Sequence, residues 1–264
     1  MLLGGLVRER CGIHYRDDDY RIAESKLQRG AQEAGFTSLL DYYYFLRYDD
    51  PTGAGFTALV DHLVVNETYF FREHVQLERA IERVVRPLVE LGLRPRVWSL
   101  ACSTGEEPIS IAILLAEAGL LDHVDLLASD ISGRSLEKAA AGLHSARSLR
   151  GTPRDALLDK WCTRDGASLV TSTKLRQTIR WSRKNLTAPL ELLSEGCFEL
   201  IFCRNALIYF DDDTVATVVR ALAAALVPGG VLCVGVSESL HCVPSVLACE
   251  EQGGAFFYRR PQSA

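Results

Sequence analysis

The chain has 264 residues, 48% of them hydrophobic and 24% charged, with a formal net charge of -5; this is soluble globular material, enough for one or two domains of roughly 100–200 residues. No apolar run approaches the roughly 20 residues of a membrane helix, MLLGGLVRER has the wrong length and charge order for a secretory signal, and no Lys/Arg tract gives the basic footprint of a nucleic-acid binder. The expectation is a cytoplasmic protein with no direct membrane insertion and no nucleic-acid substrate. The eight cysteines form no C-x-x-C pair and the six histidines show no metal spacing, so no metal is expected. Thiols in apolar runs such as FELIFC and VLCVGV are expected to be reduced and buried.

Residues 1–76 read as helical. Thr37 and Ser38 are candidate caps for a helix through SLLDYYYFLR. In GFTALVDHLVV the apolar Phe56, Leu59, Val60, Leu63 and Val64 share one helical face, and Asp50-Pro51-Thr52-Gly53 before them is turn chemistry. Val75 to Leu91 is again helix-periodic, with Pro87 expected to bend or end it. From Arg96 the pattern changes. VWSLA, VDLLAS, FELIFC, VLCVGV and GAFFYRR read as strands, and EPISIAILLAEAG, SLEKAAAGL and the stretch from Asp213 to Leu226 as helices, the last ended by Pro228-Gly229-Gly230. Unbroken apolar strands alternating with helices predict an α/β fold with a doubly wound, mostly parallel sheet. SLVTSTKLRQTIRWSRK interrupts the alternation and reads as an inserted antiparallel hairpin over about 161–185; the alternative is a long loop leading into a single core strand. The domain reading is a helical unit over 1–76 and an α/β domain over 77–264.

In a doubly wound sheet, ligands bind beyond the carboxyl ends of the strands. VWSLA runs into Ser103-Thr104-Gly105-Glu106-Glu107-Pro108. Gly105 would let backbone approach a ligand, or simply make a tight turn. The next strand ends in Ser129-Asp130, where the acid could hold two ribose hydroxyls or cap a helix. The loop is not G-x-G-x-x-G, and Glu106 and Glu107 would repel a pyrophosphate at a helix N-terminus. They would suit a cationic ligand that also carries ribose, and S-adenosylmethionine meets that description better than a nicotinamide dinucleotide.

Four segments then carry a family resemblance. Asn66-Glu67-Thr68-Tyr69-Phe70-Phe71-Arg72, Ala101 to Pro108, Ala128-Ser129-Asp130-Ile131 and Phe202-Cys203-Arg204-Asn205-Ala206-Leu207-Ile208-Tyr209-Phe210 resemble, in order and across nearly the whole chain, the chemotaxis receptor methyltransferases of the CheR family. The resemblance implies a class I S-adenosylmethionine-dependent methyltransferase fold with a small helical N-terminal domain and an inserted antiparallel β-subdomain. It implies S-adenosylmethionine as methyl donor, S-adenosylhomocysteine as product, and glutamate carboxylates of a receptor as acceptors, esterified in signal adaptation. By the same resemblance Asn66, Thr68 and Arg72 contact the cofactor or face the methyl, Glu107 contacts the cofactor, and Asp130 binds the ribose. Asn185 and Leu186 lie near the adenine, Arg204 and Asn205 form another contact pair, and Tyr209 lines the transfer site; Arg72 and Tyr209 are the catalytic candidates.

The implied partners are cytoplasmic chemoreceptor helices or a related signalling protein, met by a basic N-terminal helix, with a receptor tail peptide docking on the hairpin; the enzyme is expected to be a monomer. Two departures stand out. The stretch from Tyr20 to Phe36 mixes Arg21, Lys26 and Arg29 with Glu24, Gln32 and Glu33 behind Asp17, Asp18 and Asp19, and His144 replaces an aromatic after Gly142-Leu143. Two rival readings follow: a catalytically silent cofactor-binding scaffold, and a methyltransferase with a non-receptor acceptor.

Overall fold

Apolar side chains on one face of each N-terminal helix have to be covered, and they cover one another. In the computed structural model, which describes residues 2–15, 20–151, 154–166, 168–188, 193, 197–240, 243 and 246–262, helices α1 (Leu2–Cys11), α2 (Tyr20–Glu33), α3 (Leu39–Tyr44) and α4 (Ala54–Leu63) pack around Leu6, Val7, Leu27, Tyr42, Leu46, Leu59 and Leu63. Asp17, Asp18, Asp19 and Cys242 lie outside the described residues. Ser38 caps α3, its hydroxyl accepting the N–H of Asp41 at 3.3 Å.

α5 (His74–Ala80) and α6 (Arg86–Glu90) form one helical run through a π-type turn at Ile81–Val85. Of the two expected outcomes, a bend or an end, Pro87 does not end the helix, which continues through a locally widened turn. A proline ring crowds the carbonyl four residues back, here that of Arg83, and the wider turn around Arg83 accommodates it.

The rest of the chain builds β1 (Arg96–Leu100), α7 (Glu106–Glu117), β2 (Asp125–Asp130), α8 (Gly133–Ala141), β3 (Leu143–Ser145), α9 (Asp155–Trp161), β4 (Cys162–Asp165), β5 (Ser168–Thr171), α10 (Thr173–Gln177), β6 (Ile179–Arg183), β7 (Phe198–Cys203), α11 (Asp212–Ala225), β8 (Leu226–Cys233), β9 (Ala248–Gln252) and β10 (Ala255–Arg259). Seven strands form one sheet in the order β6-β2-β1-β7-β8-β10-β9. All neighbours from β6 to β8 are parallel, and only β10 runs antiparallel, to both β8 and β9. This is the predicted doubly wound α/β sheet, covered by Ile109, Ile113, Phe70 and Phe71 on one face and by Val218, Val219 and Leu222 on the other. No helix among the described residues is long and apolar enough to cross a membrane.

Three expectations are corrected. β3, β5 and β4 form a separate antiparallel sheet, so the insertion starts near Leu143, and Ile179–Arg183, expected in the hairpin, is a parallel strand of the main sheet beside β2. β-formers announce a strand but not which sheet receives it. Pro228-Gly229-Gly230 lies inside β8 instead of ending α11, which stops at Ala225. Cys197 and Cys249 are exposed, whereas Cys11, Cys102, Cys203 and Cys233 are buried.

Candidate functional site

β1 lies between β2, the next strand in the chain, on one side and β7, a much later one, on the other, so the strand order reverses at β1/β7. Such a switch point opens a crevice at the carboxyl ends of the strands. A cavity of about 580 Å³ lies there, within the usual size range of small-molecule sites. The non-glycine residues with left-handed backbone among the described residues are Phe71, Glu73, Ala101, Ser103 and Asn205, all on segments that meet around this end of the sheet. Strained backbone of this kind clusters at binding sites because surrounding contacts enforce it.

Asp130 ends β2 and lines the cavity. Its carboxylate accepts the N–H groups of Ser103 at 2.8 Å and Ser132 at 2.9 Å. Burial pushes its pKa up, opposed by the backbone N–H groups it accepts. Asn66, from the linker after α4, accepts the hydroxyls of Ser103 at 2.9 Å and Ser135 at 3.0 Å, tying that linker to the β1 loop and to α8. Asn185 and Leu186 follow β6. The Asn185 amide donates to the Arg10 carbonyl at 2.7 Å, and its oxygen accepts from the Thr187 N–H at 3.0 Å. Asn205 and Tyr209 follow β7. Six predicted residues therefore share one cavity: Asn66, Asp130, Asn185, Leu186, Asn205 and Tyr209.

The other four do not line it. Glu107 and Arg204 form a buried network beneath the sheet's end. Glu107 accepts from the Ser99 hydroxyl at 2.7 Å and from Arg204 Nη1 at 3.2 Å, while Arg204 Nη2 donates to the Arg72 carbonyl at 2.7 Å and to Glu73 at 2.9 Å. Burial raises the Glu107 pKa against the pull of Arg204 and Ser99. Arg72 itself is half-buried: its guanidinium donates to the Glu67 carbonyl at 3.0 Å and lies 5.6 Å from the Tyr69 ring centroid. Thr68 is half-buried on the same linker.

Two arguments made from the sequence change. Glu106 faces away from the cavity. Burial alone would raise its pKa, but His144, at 3.1 Å, with Thr104 and Ser148 at 2.7 Å each, holds its carboxyl below the ordinary value. The helix-start acids are thus partnered within the protein, and Asp130 is the cavity's own carboxylate among the described residues. Gly105 does not line the cavity. At φ 93 it starts α7, and a Cβ there would stand 2.7 Å from Ala139 Cβ, so the missing side chain brings α8 close.

Sequence reading missed three residues. Glu238, in the SES that follows VLCVGV, accepts the N–H groups of Asn205, Leu207 and Gly235 at 2.7 Å each. Glu73 anchors Arg204. Tyr15 lines the cavity with its hydroxyl buried and without a hydrogen-bond partner among the described residues. An acid just after a predicted strand was a usable signal for Glu238; nothing in the sequence pointed to Tyr15.

Comparison with known proteins adds a family. Residues 66–253 match the family model described as CheR methyltransferase, SAM binding domain. The chain is 35% identical over 258 residues to Chemotaxis protein methyltransferase 2 of Vibrio cholerae serotype O1, covering 96% of this chain and 89% of that one. It is 32% identical over 241 residues to the Probable biofilm formation methyltransferase WspC of Pseudomonas aeruginosa, covering 89% of this chain and 55% of that longer protein. Among solved structures, the N-methyltransferase NodS from Bradyrhizobium japonicum in complex with S-adenosyl-L-homocysteine aligns over 70% of this chain and 87% of that one, at 16% identity and a TM-score of 0.39. A family match over residues 66–253, joined to a relative 35% identical along nearly the full length, makes this chain a member of the CheR family of S-adenosylmethionine-dependent chemotaxis methyltransferases.

Proposed function

We propose that the chain transfers a methyl group from S-adenosylmethionine to glutamate side-chain carboxylates of a chemoreceptor-like protein, forming methyl esters. The observation that carries the acceptor class is the pairing of Tyr209, on the cavity wall, with Arg72 on the adjoining linker. A phenol and a guanidinium suit an anionic acceptor. The relative in Vibrio cholerae is named a chemotaxis protein methyltransferase, which supports a receptor as that acceptor.

The residues present fit the donor. Asp130 offers a carboxylate to ribose hydroxyls, Leu186 and Ile131 offer apolar wall to a purine, and the buried Tyr15 hydroxyl has a bond to give. Asn66, Asn185 and Asn205 add polar contacts around the same cavity, and Glu107 and Arg204 brace its floor. When bound, S-adenosylmethionine supplies a methyl on a sulfonium, so that an acceptor oxygen gains the methyl as the carbon–sulfur bond breaks and a neutral thioether remains.

A glutamate with a reference pKa of about 4.3 is ionised at neutral pH and needs no general base. Arg72 would orient it: its guanidinium donates one hydrogen bond, to the Glu67 carbonyl, and stands 3.9 Å from Glu73, so most of its five N–H donors are left for an arriving carboxylate. Tyr209 stays a neutral phenol, since burial first and the Glu67 carboxylate second push its pKa up; it can donate to the second carboxylate oxygen without competing as an anion. Thr68 lies on the same linker and would help set the path of Arg72. Holding the reactants in line can lower the barrier by about 7–11 kcal/mol. The active unit is read as a cytoplasmic monomer, with the helical part over 1–76 and the small sheet as surfaces for the protein substrate.

The test is to incubate the full chain with radiolabelled donor and receptor-bearing membranes. Base-labile methyl on a protein band is the expected result. Alkali-stable label would mean another acceptor, and donor uptake with no label at all would mean a silent scaffold; either result removes the reading.

A further inference from the structure

Beyond the matched domain, which starts at residue 66, the chain contributes one more wall to the cavity. Leaving α1, the strap Gly12–Tyr15 places Ile13, His14 and Tyr15 on the cavity lining. It is fastened at both ends. The Arg10 carbonyl accepts from Asn185 at 2.7 Å, Arg8 pairs with Asp211 at 2.6 Å, and the His14 N–H donates to the Tyr209 carbonyl at 2.9 Å. Gly12 permits this close approach: at φ 74, a Cβ would stand 2.5 Å from the Thr187 methyl. The strap therefore rests on the two loops, after β6 and after β7, that carry predicted cofactor contacts.

Within that strap, Tyr15 is the anomaly. Its hydroxyl is buried without a partner among the described residues, although native structures leave few buried polar groups unpaired. Burial pushes its pKa up, so the group is a neutral phenol able to donate or accept. Asp130, Ile131, Asn185 and Leu186 share its cavity, and these are the positions read as the ribose and adenine side.

We propose that Tyr15 is a further binding residue, its hydroxyl hydrogen-bonding the adenosine half of the S-adenosyl ligand, with the Gly12–Tyr15 strap forming the wall of that half. The inference rests on the cofactor site described above, and it extends that site into the N-terminal helical part of the chain.

Calorimetry on the full chain with two probes tests it: S-adenosylhomocysteine, and 5′-methylthioadenosine, which keeps the adenosine half and lacks the amino acid. In Tyr15→Phe both should bind about five- to tenfold more weakly than to the native chain. The unfolding midpoint without ligand should not move, while the ligand-induced rise in midpoint should shrink. If the native chain takes up neither probe, the cofactor site itself is wrong, whatever Tyr15 does. If the native chain binds and Tyr15→Phe binds both probes equally well, the Tyr15 proposal alone is overturned. A loss confined to S-adenosylhomocysteine would also overturn it, because the hydroxyl would then serve the amino-acid half. So would a fall in the ligand-free midpoint that accounts for the whole loss, because Tyr15 would then be a packing residue.

Discussion

Glu238 accepts the backbone N–H of Asn205 at 2.7 Å with the same oxygen that accepts the N–H of Gly235 at 2.7 Å, so one carboxylate clamps the loop after β7 to the end of β8. Its other oxygen takes the N–H of Leu207 at 2.7 Å. Charge-assisted bonds to backbone amides are among the stronger polar contacts. Glu238→Ala should cost about 2–4 kcal/mol and lower the unfolding midpoint by roughly 5–15 °C. Because the clamp sets Asn205 and the turn carrying Tyr209, donor affinity should fall as well. A variant with native affinity and midpoint would show that the clamp does nothing for the site.

Arg72→Ala should separate chemistry from binding. The guanidinium lies off the cavity wall, so calorimetric affinity for S-adenosylhomocysteine should stay within about threefold of native, while methyl transfer should drop roughly 100-fold. Full turnover in the variant would remove Arg72 from the transfer step.

Asp130 gives a pH dependence with a definite sign. Its pKa is raised by burial above the ordinary 3.8, and the ionised form is the stronger acceptor for two ribose hydroxyls. Affinity for S-adenosylhomocysteine should therefore weaken as pH falls into the raised titration range, before a free aspartate would respond. In Asp130→Asn the affinity should be lower throughout and that step should vanish. Calorimetric titrations at several acid pH values check both points.

Much of this was legible in advance, and the particular failures are instructive. The sheet was visible because Leu126–Ala128 and Leu200–Cys203 are apolar without a break, and Val97–Leu100 is broken only by the small buried Ser99, as suits strands covered on both sides. β9 escaped because Ala248–Gln252 is a charged edge strand with no apolar signal, and β3 because three residues carry no periodicity. At the site, motifs located Asp130, Asn205 and Tyr209 but not the direction of Glu106. Two adjacent helix-start acids look alike in sequence, yet a helix turns about 100° between them, sending Glu106 toward His144 and Glu107 toward Arg204. Tyr15 reaches the cavity through long-range packing alone.

The buried Glu106–His144 contact should be read in stability, not catalysis. Glu106→Gln should cost on the order of 2 kcal/mol at neutral pH through lost charge-assisted bonds. The folded-state pKa of Glu106 is depressed below 4.5, so the carboxylate's contribution is complete above that value and is lost as pH falls through the lower folded one. Unfolding free energies of native and variant chains should converge in acid, and a gap independent of pH would contradict the assignment.

Gly105→Ala should destabilise by about 2–4 kcal/mol, from the left-handed φ of 93 and a Cβ 2.7 Å from that of Ala139. Combining it with Ala139→Gly should recover the steric part and leave the backbone part, which thermal unfolding of the single and double variants would resolve.

The border of the seven-stranded sheet carries a last consequence. β9 presents Glu250 and exposed Glu251 along its outer margin, with Glu250 held by Arg259 at 2.6 Å. A strand arriving from a second molecule would have to lay its backbone beside these carboxylates, one of them fixed by its ion pair to β10. Growth of the sheet by accretion on that side is discouraged.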